Sequence, residues 1–248
     1  MQVESFAIRL RQRSPLEAAD MGVRLCQDSA ASLFKCYLLV ALPIIVFALA
    51  GFEIAPWIPV TSIWLAKPWL DRTILFVLAR AAFGQATTIR DLWQAQRQVW
   101  WGQFLRTWTT RQFSPWRSFT QPVYQLEGLR GAKLRKRVRQ IRSGNWSSAW
   151  LMTMAFNFTE LAITFTLLLL AVFFAPKGYL PDIWQVATGE YAPLIPFAYA
   201  LAYSVAVIVV EPFYVGAGFA IYLNRRVDLE AWDIEQEFRR SNFARATT

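Results

Sequence analysis

The chain has 248 residues, 55% of them hydrophobic and 16% aromatic, with a formal net charge of +9 and no histidine. That apolar share exceeds the ~45–50% usual in soluble domains, and the missing imidazole removes the commonest general base and zinc ligand. The two cysteines, Cys26 and Cys36, flank the start of an apolar run and form neither a disulfide framework nor a metal site, so no metal or cofactor is expected.

The first 31 residues carry four basic and four acidic side chains. Within "SPLEAADMG", Ser14, Pro15 and Glu17 read as N-cap, first helical position and capping-box partner. Leu16, Val23, Cys26 and Ala30 form an apolar stripe on that helix. An interfacial helix running into a first membrane span is predicted. "ALA" at 48–50 has the look of a signal-peptide cleavage site, but the helix signals ahead of the apolar run point to an uncleaved span.

Four apolar stretches follow: 33–51, 57–84, 150–175 and 194–223. The first is close to the ~20 residues that cross a bilayer core. The second is interrupted by Lys67, Pro68, Asp71 and Arg72, and so is either a span or a broken, re-entrant helix. The third holds Glu160 and the fourth Glu211. Runs of this length with so few charges exceed what soluble core helices show.

Between the second and third stretches, residues 86–145 carry twelve Lys and Arg against Asp91 and Glu127. Basic flanks stay in the cytoplasm, which places this loop and both termini on the inner side of a membrane crossed four times. "GLRGAKLRKRVRQIRSGNW" sets Leu134, Val138 and Ile141 on one face, with Lys133, Arg135, Lys136, Arg137, Arg139 and Arg142 around them. Such a helix suits anionic headgroups or a partner. Upstream, Trp93, Trp100, Trp101, Trp108 and Trp116 alternate with arginines. That pattern also suits stacked bases, but spans on both sides favour the headgroup region, and no nucleic acid is expected.

Charges at bilayer depth cost at least about 2.5 kcal/mol each on insertion scales, so they face inward and find partners. Counting depth from each entry point, Lys67, Asp71, Arg72 and Arg80 overlap Glu160 and Glu211. Glu160 is expected to meet Arg72 or Lys67, and Glu211 to meet Arg72 or Arg80. Pro212 frees a carbonyl one turn back, and "GAG" at 216–218 permits close helix approach.

The tail, 224–248, continues the last span with five basic and five acidic residues. Val227, Ala231, Ile234 and Phe238 form a stripe, and Arg226 with Glu230 is an i,i+4 pair. Val227, Trp232, Ile234 and Phe238 are candidate docking residues for a soluble partner.

The order "RSPLEAADMG", "LAKPWLDRTILFVLARAAFG", "PVYQLEG", an acid in the third span, then "EPFYVGAGFAIYLNRRVDLEAWDIEQEFRR" resembles a family of uncharacterised proteobacterial inner-membrane proteins. Its members are typically encoded beside MoxR-type AAA+ ATPases, von Willebrand A-domain proteins and transglutaminase-like membrane proteins. The tail is also distantly similar to membrane domains attached to glycerophosphodiester phosphodiesterases. The resemblance implies company at the membrane, an ATPase-linked assembly or quality-control system, and carries no catalytic residue.

The expected fold is all-α: one membrane domain over 1–248, about four spans and amphipathic interfacial helices. The expected role is a non-enzymatic scaffold or adaptor, because no nucleophile or metal spacing stands out. The alternative is a small transporter or lipid-handling protein that uses the charged cluster as its polar site.

Overall fold

Ser14 opens the first helix as its position predicts, extended at ψ 151° and accepting from the Glu17 N–H at 3.2 Å. The computed structural model describes residues 13–101, 113–174 and 194–230, and among these every regular element is a helix. They are α1 (Pro15–Asp28), α2 (Ala30–Ala50), α3 (Ile58–Ala81), α4 (Ile89–Gln94), α5 (Arg117–Leu126), α6 (Gly131–Arg142), α7 (Trp146–Phe173) and α8 (Leu194–Glu230). Short turns at Gly51–Glu53 and Arg97–Trp101, the second π-helical, join some of them.

Among the described residues, three helices are long and apolar enough to cross a membrane: Ala30–Glu53, Trp146–Ala171 and Leu194–Glu230. The second apolar stretch is one continuous helix through Pro68, not a broken one. It falls outside that class because Lys67, Asp71 and Arg72 sit in its middle. Most of its second half is buried, from Lys67 to Ala79. Three candidate spans thus stand where four were expected, with α3 packed against α2 and α8.

Helix α8 is the axis on which α1, α3, α5 and α7 pack. It changes character along its length. Up to Val209 it exposes Leu201, Val205 and Val209, the surface a lipid-facing helix presents. From Val210 to Asn224 every residue except Phe213 is buried. Helix α2 shows the same exposure at Leu39, Leu42, Val46 and Phe47, and α7 at Leu151, Phe158, Leu161, Phe165 and Leu169. One part of the molecule is thus clad in exposed apolar side chains, and the other is a packed helical body.

Two glycines build that body. On α8, residues two apart point about 200° from one another, so Gly216 and Gly218 serve opposite sides. A Cβ on Gly22 of α1 would lie 2.2 Å from the Gly216 carbonyl oxygen, and one on Gly218 would lie 2.3 Å from Ser118 Oγ of α5. The small residues let both neighbours approach at backbone distance. Cys26 Sγ donates to the Pro212 carbonyl at 3.2 Å, and Tyr37 Oη to the Val207 carbonyl at 3.4 Å. Arg13 and Asn224 exchange two hydrogen bonds at 3.0 and 2.8 Å.

Two amphipathic expectations change. Helix α1 buries Ala18, Gly22, Leu25 and Cys26, while Leu16 is 74% exposed. Its inner face is the one matched to α8, and Leu16 lies off that face. The basic loop is not a free loop either. Helix α5 buries Arg117 through Val123 and Gln125 against α8 and α3, and α4 opens on a Thr88/Asp91 capping box. The Thr88 backbone N–H and hydroxyl hold the Asp91 carboxyl below the usual carboxylate range.

Gly22→Ala is expected to force α1 from α8 and to destabilise the body by about 1–3 kcal/mol, the usual range for overpacking. A lower melting temperature of the detergent-solubilised chain, with faster proteolysis within α1, checks this.

Candidate functional site

Helix α3 presents Lys67 and Asp71 on one face, four residues apart. Lys67 Nζ lies 2.6 Å from Glu160 Oε2 of α7 and 2.9 Å from Glu211 Oε2 of α8. Arg117, the first residue of α5, sets its Nε 2.8 Å from Asp71 Oδ2 and bonds Glu211 Oε1 through Nη2. Four helices thus meet at five ionisable side chains, each more than nine-tenths buried. Tyr203 adds a hydrogen bond to Glu160.

Burying ions costs several kcal/mol each, recovered only where partners and hydrogen bonds are well placed. Here each cation touches two carboxylates, and Glu211 touches both cations. The Arg117 guanidinium also lies 5.3 Å over the Tyr214 ring, a cation–π contact. Tyr214 Oη is 3.3 Å from Thr153 Oγ1, which donates to the Pro115 carbonyl at 2.6 Å. The start of α5 is thereby tied to α7 and α8 together.

The depth count offered Arg72 or Lys67 to Glu160, and Lys67 is the one that meets it. The other expected pairings do not form as drawn. One residue on from Asp71, Arg72 points about 100° away and donates to the carbonyls of Val99 and, at 3.0 Å, Gln98. The π-helical turn supplies those carbonyls. Arg80 lies 3.6 Å from Asp91 of α4, at the end of α3 beyond the reach of Glu211. The cation that Glu211 gains instead is Arg117. A signal for it exists: Arg117 and Glu127 bracket nine uncharged residues, "SFTQPVYQL", inside an otherwise basic stretch, the mark of a segment that goes inside.

Beside the cluster lies a cavity of about 220 Å³. Lys67, Arg117, Glu160 and Glu211 form its charged floor, and Trp64, Phe113, Phe156 and Tyr214 its aromatic walls. Asn157 and Thr153 contribute polar groups. Asp71 stands behind Arg117, outside the lining.

The basic helix forms a second charged feature. Leu134 and Ile141 are buried and Val138 partly so, matching the predicted stripe, while Lys133, Arg135, Lys136, Arg139 and Arg142 are exposed. Arg137 departs from that set. It turns inward, with Nε 2.9 Å from Glu127 Oε2 and Nη2 bonded to Glu230 Oε1. Partial burial works against its charge, and the two carboxylates outweigh that and raise its pKa. Tyr222 Oη donates to Glu127 Oε1 at 2.8 Å, extending the link to α8. Arg142 stacks 4.8 Å over the Trp116 ring.

In the tail, Arg226 and Glu230 pair at 2.5 Å as the spacing predicts. Val227 is 1% exposed, packed in the core and closed to a docking partner. Trp232, Ile234 and Phe238 lie outside the described residues. Among the described residues, no group of His, Cys, Asp and Glu side chains could hold a metal ion.

Compared with family models, curated proteins and solved structures, the chain matches none.

Arg117→Leu leaves Asp71 and Glu211 short of their shared cation and is expected to cost about 3–5 kcal/mol of stability, the scale for breaking a buried pair. Arg117→Lys should recover only part, because an ammonium cannot bridge two carboxylates as a planar fork does. Denaturant unfolding of the three proteins in detergent measures both effects.

Proposed function

We propose that the protein is a non-enzymatic, multi-pass scaffold of the bacterial inner membrane that presents a rigid basic face to an acidic cytoplasmic partner protein. The observation that carries this reading is the fixation of α6. Five exposed cations ride on a helix pinned from below by Leu134, Ile141 and the Glu127–Arg137–Glu230 bridge.

The arrangement supports four crossings, with α3 as the return leg of α2. Gly51 packs against Ile58 where the two helices join. At the other end Cys36 Sγ approaches the Thr87 carbonyl at 3.8 Å, just past α3. The Phe52 and Phe197 rings meet at 5.2 Å, so the α2–α3 turn and the start of α8 share one side. The basic stretch then lies on the opposite, cytoplasmic side by the positive-inside rule, together with α1 and the end of α8.

Position favours a protein over headgroups as the partner. Glu230 lies 21 residues past Val209, about 31 Å along the helix at ~1.5 Å per residue. Membrane surface potential fades within a Debye length, about 8 Å at physiological salt. The Arg137 region of α6 is therefore placed to read a soluble surface. The resemblance noted in the sequence supplies one candidate, a MoxR-type AAA+ ATPase. A second reading, binding of a small ligand or lipid at the ion-pair cluster, is favoured by the cavity beside it.

Crosslinking pull-down from native membranes tests the scaffold reading. Wild type should recover a partner, and raising the salt severalfold should weaken that recovery. The triple variant Lys133→Glu, Arg135→Glu, Lys136→Glu should lose it while keeping the wild-type melting temperature. Undiminished recovery with the triple variant would sink the reading.

A further inference from the structure

We infer that the cavity beside the ion-pair cluster is a binding site for an alkylammonium group, carried either by a free amine or by the headgroup of an aminophospholipid. This goes beyond the scaffold reading and does not depend on it.

The first argument is charge. The ion pairs join three carboxylates, Asp71, Glu160 and Glu211, to two cations, Lys67 and Arg117. An uncompensated ion in a dry interior is costly. Within the protein alone the third acid is neutralised by the proton in the Asp71–Glu211 side-chain hydrogen bond, and one further positive charge can take that proton's place. Two of the three acids, Glu160 and Glu211, line the cavity. Both cations are already held by two carboxylates each, which leaves an anion nothing to neutralise.

The second argument is the walls. Trp64 and Phe113 meet edge to face at 5.5 Å, and Phe156 and Tyr214 do the same at 5.7 Å. All four line the cavity. Aromatic rings around a carboxylate are the surroundings that recognise ammonium groups through cation–π attraction. Tyr214 already serves as such a platform for Arg117.

Size and access agree. At ~30 Å³ per water, a cavity of about 220 Å³ holds several waters or one small headgroup, and not a whole lipid. Helices α3 and α7 each pack on α8 but scarcely on one another, and both supply lining residues to the cavity. Among the lining residues, Phe113 and Asn157 are exposed and Trp64 is partly so. Leu161, one turn from Asn157 on α7, belongs to the exposed apolar belt. Acyl chains lying on that belt would bring a headgroup to the opening.

The test uses the full chain with two kinds of probe. Tetramethylammonium chloride and ethanolamine hydrochloride are titrated into detergent-solubilised protein, with sodium chloride as the ionic control, and the melting temperature is read. In parallel, nanodiscs of equal phosphatidylethanolamine and phosphatidylglycerol are opened in the mass spectrometer and retained lipid is counted. Either amine should raise the wild-type melting temperature beyond the sodium chloride control. Trp64→Leu and Phe156→Leu, which leave every charge in place, should weaken the response about tenfold, as loss of a cation–π wall does.

Glu160→Gln should do the same, and the two wall variants keep the test valid where that protein fails to fold. Selective retention of phosphatidylethanolamine by wild type, lost in Trp64→Leu, identifies a lipid headgroup as the source. A response to soluble amines without such retention identifies a free amine. No response to any ammonium, or one unchanged in both wall variants, overturns the proposal, as does preferential retention of phosphatidylglycerol.

Discussion

Glu211 is one carboxylate holding two cations, and the rest of the molecule is arranged so that it can. Along the chain its nearest charged neighbours are Glu190 and Arg225, so nothing local compensates it. Lys67 must come from α3 and Arg117 from α5. That requirement fixes the rotation of α3 and draws a ten-residue helix out of the basic stretch into the bundle. It also sets α7 at the height where Glu160 shares Lys67. In a bilayer, apolar side chains gain little by choosing one neighbour over another. A buried ion with a single satisfactory arrangement supplies the register that greasy surfaces lack.

Around that centre the protein divides its work. The exposed apolar surfaces of α2, α7 and the first part of α8 suit a lipid environment, and the second part of α8 is sheathed by α1 and α5. Gly216 and Gly218 let one helix carry both neighbours at backbone distance. Farther along the same helix, Tyr222 and Glu230 hold Glu127 and Arg137. The cluster, the glycine contacts and the basic face are thus successive stations on a single 37-residue helix.

Much of this was legible in the sequence. Apolar length found the three long helices, because a lipid-facing surface leaves a compositional record that packing does not erase. Ser14 and Pro15 marked the start of α1, and depth counting matched Lys67 to Glu160. Helix faces were harder. Leu16 was assigned inward by hydrophobicity alone, whereas the surface α1 meets is built for glycine and alanine at Gly22 and Ala18. Arg137 was counted with its basic neighbours, and only Glu127 and Glu230, far away in sequence, single it out. Arg72 and Arg80 were offered to the acids because depth ignores direction around a helix. Arg117 was overlooked for a related reason: a basic stretch between spans reads as solvent-exposed, and net charge hides one arginine that turns inward. The uncharged run after it was the clue.

The distance in sequence between partners has a consequence for how the chain is made. Lys67 leaves the ribosome 93 residues ahead of Glu160, an interval of about 5–19 s at ~5–20 residues per second. Throughout that interval Lys67 lacks Glu160, for about its first half Asp71 lacks Arg117 as well, and α3 carries three charged side chains in its middle. On the proposed four-span arrangement, α2 can enter the bilayer at once, and α3 settles there only when α7 and α8 arrive with their acids. The native state of α3 is thus reached by assembly with later helices and not by its own partitioning, which makes biogenesis of this protein a timed, cooperative event.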